Sequence, residues 1–399
     1  MVVTSKTQAA DRIFAPSEKD MWASKKQYRP LTEKLSNEEI NDRYENRSDR
    51  FITEINREKL PNVVENLKKE GYLNTRPFYQ RKDRWNEEQQ SKLIESFLVN
   101  IPIPPVILYE TKYNSYEVID GQQRITAISD FYNNKFQLTG LDLWAELNGF
   151  MYKDLPSKIK DGIDRRSLSS IVLITESTSN SEEAMSLRRL AFERINTGGI
   201  SLSKQEIRNC LYTGKFNDLL FELSQNNIFA KAWNIPVSDS KKLKTNNLFK
   251  KMEDLELILR FFALRHFPDF RGDISSFLDT YMQKSIIFVD DDIKWLQKCF
   301  IDTIEMASNI YQEHLFRPFG AKKDYAYKEY YDAVMVGCSY HLSSAPKLIE
   351  RREKVVEATN KLLSAPKVNK LFTGGGGTKE GIKERISLFE NMLSQVAAE

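Results

Sequence analysis

Residues Tyr116–Phe131 read YEVIDGQQRITAISDF, and their hydrophobic period changes in the middle. The first half is rich in strand formers, and the apolar run at residues 107–109 lies across a short polar loop from it. After Gly121, apolar residues recur at helical spacing as far as Phe131. The stretch therefore predicts a strand, a glycine turn and the beginning of a helix.

The predicted turn has the chemistry of an anion site. The first amides of a helix lack intrahelical partners and carry partial positive charge, so they attract anions. Gly121 lets the backbone approach a ligand, and Arg124 opposes the helix dipole unless a phosphate faces it. Asp120 would repel that phosphate unless it holds a metal ion, a water or a ribose hydroxyl. An ordinary turn with Arg124 in a salt bridge explains the same residues, because one glycine turn is a weak signal.

Four ordered sequence blocks resemble the GmrSD-type N-terminal domain of the ParB/sulfiredoxin superfamily. The central block is DGQQR at residues 120–124. The others are RPFYQRKDRW at 76–85, IPIPPVIL at 101–108, and FERINTGGISLS at 192–203 with EIR at 206–208. Together they cover roughly residues 55–215, and the ordered set is more specific than any block alone.

The resemblance implies both a fold and an activity. The expected fold is α+β, a ParB/sulfiredoxin-like small mixed sheet with helices, and the helical periodicity after residue 216 adds a mostly helical C-terminal region. The implied activity is binding of a nucleoside triphosphate (ATP, GTP or CTP) with Mg²⁺, and its hydrolysis in some relatives. The implied setting is a prokaryotic DNA-restriction or anti-phage defence system.

The resemblance also implies roles for residues at matching positions. Asp120 would orient water or Mg²⁺, so Asp120, Gln122 and Arg124 are the candidate catalytic residues. The predicted nucleotide-binding residues are Gly121, Gln122, Gln123 and Arg124 on the turn, Tyr79, Gln80 and Arg81 on a facing wall, and Arg194 and Asn196 closing the site.

Composition along the chain predicts four segments. Residues 1–54 form a polar arm that docks through its aromatic residues and carries a short helix near 37–44. Residues 55–215 form the nucleotide-binding domain, and residues 216–373 form a helical domain. Residues 374–399 contain a glycine joint and a terminal helix.

Basic residues concentrate in two stretches of the sequence. Between residues 188 and 215 there are six basic and two acidic residues, and between 238 and 251 there are five and one. Such clusters can contact nucleic-acid phosphates, although most charge runs are solvated faces. The predicted DNA-contacting residues are Arg188, Arg189, Lys204, Arg208, Lys241, Lys242 and Lys244.

Overall composition narrows the class of protein. The 59 basic and 56 acidic residues nearly balance, which argues against a uniformly basic nucleic-acid coat. The three cysteines are far apart and lack a CxxC spacing, which predicts reduced thiols. No apolar signal core or membrane span is visible, so we expect a cytoplasmic protein without membrane contact.

Two alternative functions remain open at this stage. The first is a ParB-like DNA endonuclease that uses the same site, although its nearby acids are few for two-metal cleavage. The second is a non-enzymatic, nucleotide-switched scaffold that binds DNA and recruits a separate nuclease or defence-system protein. The sequence contains no recognisable HNH nuclease motif, and the acidic run at residues 290–292 predicts a helix entrance more than a metal site. The sequence also leaves open whether the chain forms homo-oligomers.

Overall fold

The computed structural model of the chain describes residues 14–19, 21–22, 36–45, 51–74, 85–175, 181–195, 203–318, 325–374 and 377–399. Side chains within this set are described except at residues 43, 175, 181–186 and 244. The chain divides into two compact units. Residues 30–202 form the first, called here the αβ unit, and residues 1–29 with 203–399 form the second, called the helical unit.

The αβ unit contains the strands β1–β5 and the helices α1–α6. The strands are β1 (Phe51–Lys59), β2 (Leu73–Asn74), β3 (Val106–Lys112), β4 (Ser115–Asp120) and β5 (Ser167–Thr175). The helices are α1 (Asn37–Glu45), α2 (Leu60–Asn66), α3 (Glu87–Leu98), α4 (Gln122–Tyr132), α5 (Ser157–Asp164) and α6 (Ser181–Ile195).

The five strands form one mixed sheet in the order β1-β5-β3-β4-β2. The β1/β5 and β3/β4 pairs are antiparallel, whereas the β3/β5 and β2/β4 pairs are parallel. This small mixed sheet with helices confirms the predicted α+β class. The interior position of β5 also agrees with its apolar sequence, since a strand between two neighbours is buried more fully than an edge strand.

One hydrophobic core joins one face of the sheet to the helices of the αβ unit. Leu108, Val118 and Val172 contribute from neighbouring strands, and Ile128 and Phe131 contribute from α4. The apolar spacing of the Tyr116–Phe131 stretch thus places β4 and the buried side of α4 against the same core. The packed side chains of this core support the turn between β4 and α4.

Strand β1 was not predicted from the sequence, which placed residues 51–54 in a polar arm. Its nine residues lie at the edge of the sheet, and residues 52–57 are all exposed. An edge strand with little burial lacks the regular apolar alternation by which strands are recognised. Helix α2 follows β1 directly and ends at Asn66.

The helical unit confirms the predicted helical C-terminal region. Its helices are α7 (Lys204–Leu211), α8 (Lys215–Ser224), α9 (Asn227–Ala232), α10 (Ser240–Thr245), α11 (Asn247–Lys250), α12 (Glu253–Leu264), α13 (Ile274–Lys284), α14 (Asp290–Tyr311), α15 (Lys328–Ser339), α16 (Ala345–Glu350), α17 (Arg352–Leu363), α18 (Pro366–Phe372) and α19 (Lys379–Ala398). None of the described helices is both long and apolar enough to cross a membrane. All three cysteines are buried.

A short N-terminal segment packs inside the helical unit. Phe14 stacks on His266 with ring centroids 4.2 Å apart, and Trp22 stacks on Phe277 at 4.9 Å. Between these aromatic contacts, the buried Glu18 carboxylate accepts hydrogen bonds from Tyr281 at 2.7 Å and from the backbone amide of Ala15 at 2.8 Å. Phe14 and Trp22 thus connect this segment to the other aromatic residues of the helical unit.

The acidic run at the beginning of α14 is used for capping and pairing. Asp292 accepts hydrogen bonds from the Ser17 amide at 3.0 Å and the Ser17 hydroxyl at 2.7 Å. It also accepts from the Val289 amide at 3.0 Å, and Asp290 pairs with Lys215 at 2.8 Å. These contacts agree with the predicted helix entrance.

Candidate functional site

The turn between β4 and α4 has the predicted strand, glycine and helix. Gly121 is the residue before α4 and has a left-handed φ of 96°. A Cβ atom built on it would lie 2.5 Å from Val106 Cγ1, so both the backbone angle and the packing require glycine there. The glycine is thus explained by the fold itself and does not by itself indicate a ligand.

Within the part of the chain that the structure describes, no side chain caps the N-terminus of α4, and its first turn contains no acid. The first intrahelical bond runs from the Ile125 amide to the Gly121 carbonyl at 3.0 Å, so the amides of residues 122–124 precede the helical ladder. By contrast, Asn86 caps α3 and Ser203 caps α7, each in a reciprocal capping box. The α4 terminus therefore keeps its positive partial charge available to an anion.

Arg124 stabilises this turn through contacts inside the αβ unit. Its guanidinium donates to the carbonyl oxygens of Pro104 and Pro105 and to Asp120 Oδ2, the last at 2.7 Å. Only 12% of its side chain is exposed. Asp120 thus offsets the charge that Arg124 brings to the helix N-terminus, as the salt-bridge interpretation of the sequence expected. Arg124 also fixes the proline segment that leads into β3.

Asp120 is the last residue of β4, and 45% of its side chain is exposed. Within the described part of the chain, no group of three or more His, Cys, Asp or Glu side chains is placed to hold a metal ion. A Mg²⁺ ion at Asp120 would accordingly take its other ligands from water and phosphate oxygens, which is how Mg²⁺ commonly binds in nucleotide sites.

The two glutamines of the turn have different surroundings. Gln123 Oε1 accepts a hydrogen bond from the Trp85 amide at 3.2 Å, which ties the end of the RPFYQRKDRW block to α4. Gln122 Oε1 is buried and has no hydrogen-bond partner among the described residues. A buried amide oxygen without a partner is costly, so its environment calls for an explanation. Because the oxygen and nitrogen of an amide are assigned from the network, either end of this side chain could meet a ligand.

Several predicted site residues are not brought to the turn by the described structure. Tyr79, Gln80, Arg81 and Asn196 lie outside the described residues. Arg194 is exposed in the last turn of α6. The site that can be built from described residues therefore consists of residues 120–124 with Trp85 and the Pro104–Pro105 segment.

The structure also reveals a buried ion pair that the sequence did not predict. Arg188 on α6 donates to Glu117 on β4, and its guanidinium lies 5.4 Å from the centroid of the Tyr109 ring. Glu117 is completely buried. The only sequence signal was a single acid between Tyr116 and Val118 in an otherwise apolar strand. This pair connects α6 to the sheet within the αβ unit.

The predicted DNA-contacting residues require correction. Arg208 is 2% exposed and pairs with Asp279 at 2.7 Å and Glu256 at 2.9 Å, so its assignment to DNA contact is wrong. Arg188 is largely enclosed by its pair with Glu117 and is also removed from this set. Both were chosen from charge counts, which do not distinguish a buried arginine from a surface one.

The remaining basic residues are more accessible. Arg189 pairs with Glu193 at 2.8 Å on the surface of α6. Lys204 and Lys241 are exposed, and Lys242 is exposed while it lies 3.4 Å from Asp239. The side chain of Lys244 lies outside the description.

Comparison with known proteins gives one match. Residues 60–213 match the sequence model of the family described as GmrSD restriction endonuclease, N-terminal domain. No curated protein and no solved structure matches the chain. The match includes every described residue of the β4–α4 turn but not β1, which precedes it. It indicates a protein related to restriction or defence.

Proposed function

Because residues 60–213 match the model of the GmrSD restriction endonuclease N-terminal domain, we propose that the chain binds a nucleoside triphosphate and hydrolyses it in a DNA-restriction or defence system. The observation that carries this proposal is the uncapped N-terminus of α4 at the DGQQR block, with the buried Gln122 Oε1 beside it. A helix terminus of this kind suits a phosphate group.

In this proposal each residue of the turn has a distinct task. The amides of residues 122–124 donate to phosphate oxygens, and the Gln122 side chain supplies a further polar contact. Arg124 positions the turn through Pro104, Pro105 and Asp120 and adds positive potential. Asp120 orients a water molecule or contributes one ligand to Mg²⁺. When bound, Mg²⁺ would neutralise charge on the phosphates.

A screen of ATP, GTP, CTP and UTP tests this function. We expect calorimetry to detect binding of at least one nucleotide with Mg²⁺, and a phosphate-release assay to detect turnover with or without DNA. The variant Gln122→Ala should weaken binding, whereas Gln137→Ala, at an exposed position of the same unit, should leave it unchanged. Binding without phosphate release would support the nucleotide-switched scaffold instead, and binding of none of the four nucleotides would contradict the proposal.

We also propose that DNA contact uses the accessible basic residues Arg189, Lys204, Lys241 and Lys242. Phosphate contacts release counterions, so the affinity for DNA should fall steeply as salt rises. A mobility-shift series at increasing salt tests this with charge-reversed variants of Lys241 and Lys242. Arg208 should not be used for that purpose, since its replacement would disrupt a buried network.

The DNA-cleaving step is assigned in this proposal to another polypeptide. Phosphodiester hydrolysis needs an activated water and stabilisation of charge on the attacking and leaving oxygens. Within the described part of the chain, no group of three or more His, Cys, Asp or Glu side chains is placed to hold the metal ions that such cleavage commonly uses. Purified protein incubated with plasmid, Mg²⁺ or Mn²⁺ and each nucleotide should leave the plasmid intact. Nicking that is lost in Asp120→Ala would establish the endonuclease alternative.

A further inference from the structure

A cavity of about 310 Å³ lies within the αβ unit, between the core face of the sheet and helix α2. Its apolar walls come from three strands and two helices, and include Val106, Leu108, Val172, Val63 and Ile125. These side chains are almost completely buried. The volume falls within the range of small-molecule pockets, and such pockets are mostly apolar with a few polar groups that orient the ligand.

Polar groups line the same cavity at its rim. They are supplied by Asn56 and Glu58 on β1, Asn66 on α2 and Ser170 on β5. Glu58 accepts a hydrogen bond from Asn66 Nδ2, which orients one carboxylate oxygen and leaves the other to a ligand donor. Burial raises the pKa of Glu58, partly countered by Lys69, as expected of a carboxyl that has lost part of its water.

Two tyrosines form another side of the rim. Tyr72 and Tyr116 lie edge to face with ring centroids 5.4 Å apart, and both line the cavity. Aromatic rings beside apolar walls suit a flat ring system, whose faces contact carbon atoms while its edge forms hydrogen bonds. The combination of these features is therefore selective for planar heterocycles over aliphatic ligands of similar size.

The cavity shares residues with the β4–α4 turn. Val106 lines the cavity and is also the residue that packs against Gly121. Ile125 lines the cavity from α4 and lies one helical turn after Gln122, so the two point to the same side of the helix. An occupant of the cavity would contact Val106, which packs against Gly121, and Ile125, which lies on the same side of α4 as Gln122.

We propose that this cavity binds the nucleobase of the nucleotide. This inference rests on the proposed function and adds the part of the site that determines nucleotide specificity. The Glu58 carboxylate is an acceptor for an exocyclic amino group, in the way that acidic side chains accept from cytosine N4. The site should consequently prefer adenine, cytosine or guanine to uracil.

Nucleosides without phosphate test the cavity separately from the turn. We use adenosine, cytidine, guanosine and uridine in calorimetric and ligand-observed NMR titrations, and inorganic tripolyphosphate in parallel. At least one amino-bearing nucleoside should bind, and uridine should bind more weakly. Glu58→Gln should weaken that nucleoside about tenfold or more, since a hydrogen bond to a charged group is lost. Glu54→Gln is the matched control, because Glu54 is exposed on the same strand and face.

A second variant tests independently whether nucleosides bind in the cavity, in case Glu58→Gln acts indirectly. Ser170→Leu places a larger side chain into the cavity from β5 and should abolish nucleoside binding while leaving tripolyphosphate binding unchanged. Thermal unfolding of each variant verifies that the protein is folded. Binding of tripolyphosphate with no binding of any nucleoside, or nucleoside binding that neither variant alters, would overturn the cavity proposal alone. Nucleoside binding sensitive to both variants, with no binding of tripolyphosphate, would uphold the cavity and overturn the phosphate site.

Discussion

Gly121 is required at its position by two independent features of the αβ unit. Its φ of 96° is unfavourable for any residue with a Cβ atom, and that atom would lie 2.5 Å from Val106 Cγ1. We predict that Gly121→Ala lowers the free energy of unfolding of this unit by about 2 kcal/mol or more, because backbone strain and overpacking add. Urea denaturation followed by circular dichroism measures the change.

Gly149 provides a matched control for that prediction. Its φ of 88° is similar, but no neighbouring atom of the described residues lies within 4 Å of the Cβ position. Gly149→Ala should therefore show only the backbone strain, about 1 kcal/mol. Equal losses in the two variants would contradict the claim that Val106 packing contributes at Gly121.

Asp120 is predicted to act on turnover more than on binding. An acid that orients water or a metal ion acts mainly on the chemical step, so Asp120→Ala should reduce phosphate release far more than nucleotide affinity. Asp130→Ala is the control, because Asp130 also lies on α4 and pairs with the exposed Lys135 at 2.9 Å. Single-turnover assays and calorimetry on both variants separate the two effects. Equal loss of affinity and of rate in Asp120→Ala would assign Asp120 to binding.

At the scale of elements, the docked N-terminal segment predicts a pH dependence of stability. Burial of Glu18 would raise its pKa, but Arg265, 3.3 Å away, and the hydrogen bonds from His266 and Tyr281 lower it to about 2 from 4.5. A lowered carboxyl pKa stabilises the folded state at pH values above 4.5, and this contribution is lost as the pH falls toward 2. Burial also lowers the pKa of His266, so its own contribution begins to decline below 6.5.

The measurement is the free energy of unfolding of the full chain between pH 7 and pH 3. The wild type should lose on the order of 3 kcal/mol through Glu18 over its full titration, part of it within this range. Glu18→Gln should have a lower free energy of unfolding at pH 7, and this free energy should fall less steeply as the pH is lowered. Glu305→Gln, at an exposed position on α14, should follow the wild type. If the free energy of unfolding of Glu18→Gln fell with pH as steeply as that of the wild type, the Glu18 carboxylate would not be the group that titrates.

Elements whose signals are local were predictable from the sequence. The β4–Gly121–α4 unit, the Asn86 cap and the Ser203–Glu206 capping box depend on residues within a few positions of one another. The Glu18–Arg265 pair joins residues 247 positions apart, and no periodicity encodes such a contact. For the same reason the burial of Arg208 was missed, since its acidic partners lie on α12 and α13.

The site was predictable only in part, because some of its contacts join residues that are far apart in the chain. The sequence placed residues 120–124 at one turn because they are contiguous in the chain. It did not predict that Arg124 would hold the carbonyls of Pro104 and Pro105, or that β1 would supply polar groups to a cavity under the sheet. Those contacts depend on the strand order, which local patterns do not determine.

At the scale of the whole molecule, the chain divides into two compact units, and the helical unit contains a buried ionic group. In the helical unit, Asp332 on α15 is buried between Arg260 on α12 and Arg385 on α19, with the Arg385 contact at 2.7 Å. Removing one member of a buried ionic group leaves uncompensated charge. We predict that Asp332→Asn lowers the free energy of unfolding of this unit by about 3–5 kcal/mol.

Asp302→Asn is the appropriate comparison for that variant. Asp302 forms an exposed pair with Lys298 on α14 at 2.7 Å, and surface pairs of this kind contribute about 0–1 kcal/mol. Denaturation should therefore separate the two variants clearly. Hydrogen exchange should show the loss in α12, α15 and α19, while protection in the αβ unit stays unchanged. Loss of protection in both units would contradict this prediction.

The central claim is that nucleotide phosphates bind the N-terminus of α4, and backbone amide NMR tests it most directly. Deuterated, ¹⁵N-labelled protein is titrated with the preferred nucleotide and Mg²⁺, and the amide resonances of residues 121–124 are followed. The account predicts that these resonances show large, saturating shifts that tripolyphosphate alone reproduces. Saturating shifts confined to other parts of the chain, with residues 121–124 unaffected, would contradict it.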